Sequence, residues 1–187
     1  MNVCNFQKNT DGHTLLTLDE VETMYHEFGH AIHEMLSYSP YSELSGFHVE
    51  WDFVELPSQL LENWCRHPEG MRLFARHCDT GDLIPDSMLE KLQKLDTFGN
   101  GNFVLKQNEF AMLDMRLHSE TVPQNLEELQ KISDEIYSEN SLFPLSELYK
   151  HYASFSHIFD GGYAAGYYSY MWAEIIEKEV WRAFINS

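Results

Sequence analysis

His26, Glu27 and His30 stand in the run His26-Glu27-Phe28-Gly29-His30, with the spacing H-E-x-x-H. On an α-helix, residues four apart lie on one face, about 5–6 Å from each other. Two imidazoles so placed can share a tetrahedral zinc at roughly 2.0 Å, and Glu27 then sits beside the metal as a base. His33 is no third ligand: at 1.5 Å rise per residue it lies about 10 Å along the axis from His26. The longer motif with Gly at 33 and His at 36 is absent, because His33 and Leu36 occupy those positions. A downstream carboxylate is therefore the expected third ligand, with Glu43, Glu50, Asp52, Glu55, Glu62 and Glu69 as candidates.

Helical phase orders these candidates. Phe53, Leu56, Leu60 and Trp64 make one apolar face, whereas Glu55, Gln59 and Glu62 make a polar one at i, i+4 and i+7. Pro57 suits a first helical turn, so Glu55 falls near the start of that helix. Glu55 is then placed to bind the metal while Glu62 orients a ligand histidine. The residues by themselves leave Glu62 and Glu50 open as ligands, and acids on a solvated helix face as the plain alternative.

The elements that must position these groups are readable from caps and periods. Thr17-Leu18-Asp19-Glu20 is a capping box, with Leu16 and Val21 at the staple positions, so a helix starts here. Val21, Met24, Tyr25, Phe28, Ile32, Met35 and Leu36 fall on one stripe that is expected to be core, with His26 and His30 on the opposite side facing a cleft. Gly29, inside that helix, costs about 1 kcal/mol relative to Ala and points to a close backbone approach near the metal. Further along, Pro68–Cys78 and Asp86–Phe98 read as helices on either side of a Thr80-Gly81-Asp82 turn. Asn100-Gly101-Asn102 reads as a breaker, Phe103–His118 as helix, and Asn125–Ser138 as a charged helix between Pro123 and Pro144. The last helix is expected from about Tyr163 to Phe184, which puts Tyr163, Tyr167 and Tyr170 on one face, a pattern that is more often packing than chemistry. Gly161, Gly162 and Gly166 tilt that stretch toward a mobile loop over a cleft. Tyr41–Trp51 reads as a short hairpin or loop. The fold class is mainly α, and a chain of 187 residues is expected to form a single domain, 1–187.

Three ordered stretches resemble the thimet oligopeptidase family of zinc metallopeptidases. They are Tyr25-His26-Glu27-Phe28-Gly29-His30-Ala31-Ile32-His33, then Trp51-Asp52-Phe53-Val54-Glu55-Leu56-Pro57-Ser58-Gln59 with Glu62-Asn63-Trp64, and Phe155 to Tyr170 followed by Trp172-Ala173-Glu174. The resemblance covers nearly the whole chain. It implies a zincin-type helical catalytic region with one zinc per chain on His26, His30 and Glu55, and Glu27 as catalytic base. It also implies that His157, Tyr163 and Tyr170 contact substrate or the developing oxyanion. Short unstructured oligopeptides are the implied substrates. Asp160 departs from the small residue expected in the Gly-rich stretch, which makes subsite preference there less transferable. The family's enzymes are much longer, so the chain is expected to be their active-site region, without the N-terminal half and the C-terminal end. Apolar surface laid bare by that truncation would favour a dimer. The alternative from another class is a catalytically inert metal-binding fragment or interaction domain.

Composition narrows the partners. A formal net charge of -18, with only 12 Lys plus Arg, argues against nucleic acid. No apolar run is long enough for a membrane span or a leader peptide. Cys4, Cys65 and Cys78 are odd in number and lack C-x-x-C spacing, which suits reduced thiols in the cytoplasm.

Overall fold

A computed structural model describes residues 2–6, 14–119 and 122–187. Among these it shows eight α-helices and no β-strand: α1 (Leu18–Leu36), α2 (Trp51–Val54), α3 (Leu56–Arg66), α4 (Pro68–Phe74), α5 (Asp86–Thr97), α6 (Asn100–Ser119), α7 (Leu126–Asn140) and α8 (Ser169–Ile185). Short 3-10 turns lie at Ser42–Leu44, His151–Ala153 and Ser156–Ile158. The mainly α class expected from the sequence is what is found. The chain divides into two compact units, one of Met1–Lys94 with Trp172–Ser187 and one of Leu95–Met171.

In the first unit, α1 starts where the capping box requires. The Thr17 amide donates to Glu20 Oε2 at 2.8 Å, and the Glu20 amide donates to Thr17 Oγ1 at 3.3 Å. The expected burial of the α1 apolar stripe is found only in part: Val21, Tyr25 and Ile32 are half-buried. Met24, Phe28, Met35 and Leu36 are 42%, 50%, 66% and 78% exposed, whereas Gly29 is the buried residue of this helix. The helix packs through the face that carries Gly29, His26 and His30, against α3. The physical reason is steric: Gly29 lets the two backbones approach, and once they do, the polar face is the buried one. Arg66 at the end of α3 fastens the pair, with Nε and Nη2 donating to the two Glu22 carboxylate oxygens at 2.5 Å each.

One element boundary differs clearly from expectation in this unit. Helix α4 ends at Phe74, because residues 75–84 close a tight turn instead. The Ile84 amide donates to Ala75 O at 3.2 Å and the His77 amide to Asp82 O at 2.8 Å, with Gly81 at φ +75°. The stretch between Tyr41 and Trp51 forms a 3-10 turn and a loop, the second of the two alternatives read from the sequence. Glu50 precedes α2, and Pro57 lies in the first turn of α3.

The second unit holds a core of Leu113 and Leu117 from α6, Ile136 from α7, and Phe155 and Ile158. Burying each such side chain stabilises by about 1.5–3 kcal/mol. The break before α6 falls at Gly99, at φ +78°, and Asn100-Gly101-Asn102 forms the first helical turn. Helix α7 begins at the Asn125 cap, whose side chain accepts from the Glu128 amide. Helix α8 begins at Ser169, six residues later than expected. The cause is local: Gly162 at φ +82° and Ala165 at φ +55° turn the chain out of helical geometry.

Candidate metal centre

The centre is built where α1 meets the first turn of α3. A Cβ at Gly29 would lie 2.5 Å from Ser58 Cα and 2.6 Å from Pro57 O, so only glycine permits this approach. It sets the His26 and His30 rings against Glu55, the N-terminal cap of α3, which is only 2% exposed. His26 Nε2 lies 3.2 Å from Glu55 Oε2, and His30 Nε2 lies 3.3 Å from the same oxygen. The Ser58 hydroxyl, contacting Glu55 O at 2.8 Å and Oε2 at 3.0 Å, steadies the carboxylate from behind.

These distances allow a test of metal fit. A tetrahedral zinc with bonds of roughly 2.0–2.1 Å holds its ligand atoms about 3.3 Å apart, close to the two spacings observed. Ligand atoms of His26, His30 and Glu55 all lie within 4.8 Å of one another. Two imidazoles and one carboxylate are a donor set suited to zinc. The residues fit. Another His/Cys/acid trio among the described residues, His77, Cys78 and Asp79, is exposed in the turn after α4.

Glu62 completes the arrangement, with Oε1 only 2.6 Å from His26 Nδ1. Because a carboxylate can only accept when ionised, Nδ1 carries the proton and Nε2 is the nitrogen turned to Glu55. Burial by itself would lower the His26 imidazole, but the hydrogen bonds and charges of Glu55 and Glu62 outweigh it and hold the metal-free group up to about 10. Burial pushes the Glu62 carboxyl above its usual range, with His26 opposing and Glu22 and Glu177 adding to the rise. His30 Nδ1 is buried and has no hydrogen-bond partner among the described residues.

The other expected residues fall as follows. Glu27 is half-buried, and no described residue hydrogen-bonds or ion-pairs with its carboxylate. His33 is not in the trio; it packs edge-on to Phe47 and Phe53, and burial followed by His30 lowers its imidazole. Glu50, Asp52, Glu43 and Glu69 are not in the group with His26 and His30.

In the second unit, His157, Tyr163 and Tyr170 do come together. The Tyr163 and Tyr170 rings stack at 5.0 Å, and His157 lies 6.0 Å from the first and 6.3 Å from the second. A continuous helix was the expected means of aligning the tyrosines; the turn from Tyr163 to Tyr168 does it instead. Within it the Gly166 amide donates to Tyr163 O at 2.8 Å and the Tyr170 amide to Tyr167 O at 3.3 Å. Tyr167 points elsewhere, its hydroxyl 3.2 Å from Gln107 Oε1, and burial pushes it up to about 12. Ser58 and Arg66 are structural contributors that sequence reading did not single out; Ser58, one turn-third after Pro57, carried only a weak signal.

Comparison with known proteins agrees with the motifs. The chain is 42% identical over 175 residues to organellar oligopeptidase A, chloroplastic/mitochondrial, of Arabidopsis thaliana, covering 93% of the chain and 22% of that protein. It is 40% identical over 183 residues to oligopeptidase A of Salmonella typhimurium, covering 97% and 27% respectively. It is 37% identical over 189 residues to dipeptidyl carboxypeptidase of the same organism, covering 99% and 28%. The chain thus spans about a quarter of the length of the curated relatives it matches. Since the match to the description Peptidase family M3 extends over residues 1–187, the chain belongs to peptidase family M3.

Proposed function

We propose that this chain is the catalytic region of a zinc endopeptidase that hydrolyses short unstructured oligopeptides. The observation that carries the reading is the convergence of His26 Nε2 and His30 Nε2 on Glu55 Oε2, at 3.2 and 3.3 Å. These three residues would hold one zinc. When bound there, zinc supplies Lewis acidity, bringing the pKa of water from 15.7 down to about 7 and polarising a carbonyl oxygen.

The remaining work belongs to side chains of this chain. Glu62 keeps the His26 ring oriented through Nδ1. Glu27, unengaged by other described residues, accepts a proton from the attacking water and passes it to the leaving amine. Tyr163, Tyr170 and His157 are assigned as donors to the substrate carbonyl oxygen as it gains negative charge. Support for that assignment is the family likeness of their motif together with their mutual clustering. Short peptides are the proposed partners, in keeping with the names of the oligopeptidase relatives. The cytoplasm is the proposed compartment; Cys4, Cys65 and Cys78 are free thiols, and burial followed by Glu22 pushes Cys65 up to about 11, making it unreactive. No helix among the described residues is long and apolar enough to cross a membrane.

The test is a quenched fluorescent peptide assay on metal-analysed protein, comparing wild type with Glu27→Gln. Both should bind one zinc, and Glu27→Gln should lose about 10²- to 10⁴-fold in turnover. If both bind zinc and neither cuts, the inert metal-binding reading replaces the peptidase reading for this chain.

A further inference from the structure

The second unit contains a buried carboxylate that the reaction described above does not use. Asp114 of α6 is 0% exposed. Its Oδ1 accepts from the Ala165 amide at 2.8 Å and its Oδ2 from the Tyr167 amide at 2.8 Å. His118, one turn along α6, approaches the same Oδ1 at 2.8 Å and Asp114 O at 3.0 Å through Nδ1. Both of those oxygens are acceptors, so Nδ1 carries the proton and donates. Among the described residues the carboxylate accepts three hydrogen bonds, and two of the three come from the turn that follows Tyr163.

That turn is one the backbone would not adopt unaided. Ala165 sits at φ +55°, a left-handed conformation that a residue with a Cβ keeps only when its surroundings over-determine it. Gly161, four residues earlier, is held so close to the chain that a Cβ there would meet His157 O at 2.7 Å. A carboxylate gripping the amides on either side of Gly166 supplies the missing determinant. It fixes the path between Tyr163 and Tyr170, whose rings stack at 5.0 Å.

The face of α6 is arranged for the purpose. Gln107, Phe110, Asp114 and His118 follow one another at spacings of three and four, on one side of the helix. Gln107 Oε1 accepts the Tyr167 hydroxyl at 3.2 Å, and Phe110 meets the Tyr167 ring edge-on at 5.7 Å. Tyr167 is the anchor of the turn, held at its amide, ring and hydroxyl.

We propose that Asp114 is a positioning residue of this peptidase, a buried latch whose carboxylate holds the Ala165 and Tyr167 amides so that Tyr163 and Tyr170 are preorganised as donors, with His118 fixing the carboxylate's orientation. The proposal rests on the role assigned to those tyrosines above. Loss of the latch differs from loss of fold, because α6 and α7 are joined through Leu113, Leu117 and Ile136, none of which touches the carboxylate's role.

The experiment compares wild type, Asp114→Asn and Asp114→Asn/Ala165→Gly in the full chain loaded with zinc. Asn places an amide NH₂ against a backbone N–H, so one of the two turn amides loses its acceptor. Hydrogen exchange at the Ala165 and Tyr167 amides should quicken about ten- to a hundredfold, while exchange within α7 and zinc content stay as in wild type. kcat should fall by about a hundredfold, the size of effect expected when catalytic groups shift by about 1 Å, and Ala165→Gly should recover part of it by removing the unfavourable φ. Should Asp114→Asn fail to fold, His118→Ala, which leaves the carboxylate in place but unsteadied, must still quicken exchange at the same two amides. Unchanged exchange at those amides overturns the proposal. So does wild-type kcat in Asp114→Asn when Tyr170→Phe is impaired. Wild-type kcat in Tyr163→Phe and Tyr170→Phe as well would remove the tyrosine roles themselves, and the latch's catalytic purpose with them, while zinc binding and Glu27 dependence would still stand.

Discussion

Replacing Glu62 by Gln separates two things that its carboxylate does for His26. It orients the ring, through a 2.6 Å contact to Nδ1, and it raises the ring's affinity for a proton. Losing the orienting partner of a metal-bound histidine typically weakens metal affinity about 10–100-fold, or ~1.4–2.7 kcal/mol. The second effect works the other way. With the metal-free imidazole held at about 10, zinc at pH 7 must displace a proton at a cost of about 4 kcal/mol. Removing one of the two facing carboxylates lowers that cost. Wild-type affinity should therefore climb about tenfold per pH unit from pH 6.5 to 8.5, and the Glu62→Gln curve should be flatter. The variant's deficit is consequently largest at high pH and shrinks as the pH falls. Competition with a chromophoric chelator at three pH values measures both slopes. Equal affinities and equal slopes at every pH would refute the orienting and charge roles together. The metal-free protein gives a second check. A histidine raised from 6.5 to about 10 contributes stability that is fully present below pH 6.5 and is lost as the pH rises toward 10. Metal-free wild type should thus weaken over that interval more than Glu62→Gln does, read by urea unfolding.

Gly29→Ala should lower stability by about 1–3 kcal/mol through overpacking against Ser58 and Pro57, despite about 1 kcal/mol of gained helix propensity. The same substitution should weaken zinc binding, because it separates α1 from Glu55; chemical unfolding and chelator competition that both match wild type would contradict this. Tyr170→Phe should retain zinc and fold but lose about 10²–10³ in kcat, measured by single-turnover peptide cleavage. Leu113→Ala, in the 2%-exposed centre of the second unit's core, should cost about 2–5 kcal/mol, and a loss under 1 kcal/mol by urea titration would mean that the core lies elsewhere.

What was legible in the chain was local. The Thr17 cap, the histidine pair one turn apart, Pro57 in the first turn of α3, and the shared face of Glu55 and Glu62 all depend on residues within a few positions of each other. Helical geometry converts such spacings into directions without reference to the rest of the molecule. The same rule misplaced the start of α8, because two left-handed residues, Gly162 and Ala165, interrupt a stretch whose composition suits a helix.

Tertiary structure decided which face of each helix is buried. Periodicity reports which side chains would gain by leaving water, not which surface another element reaches. In α1 the Met24 and Phe28 part of the apolar stripe is exposed and the histidine face is packed, because glycine at position 29 allows an approach that no other residue on the helix would permit. Contact across 25 or more positions is what turns Glu55 from one acid among six into the residue beside both imidazoles. The same holds for Asp114. Its sequence neighbourhood is an ordinary helix, and only the return of the chain fifty-one residues later, at Ala165, gives its buried charge the donors that make burial tolerable.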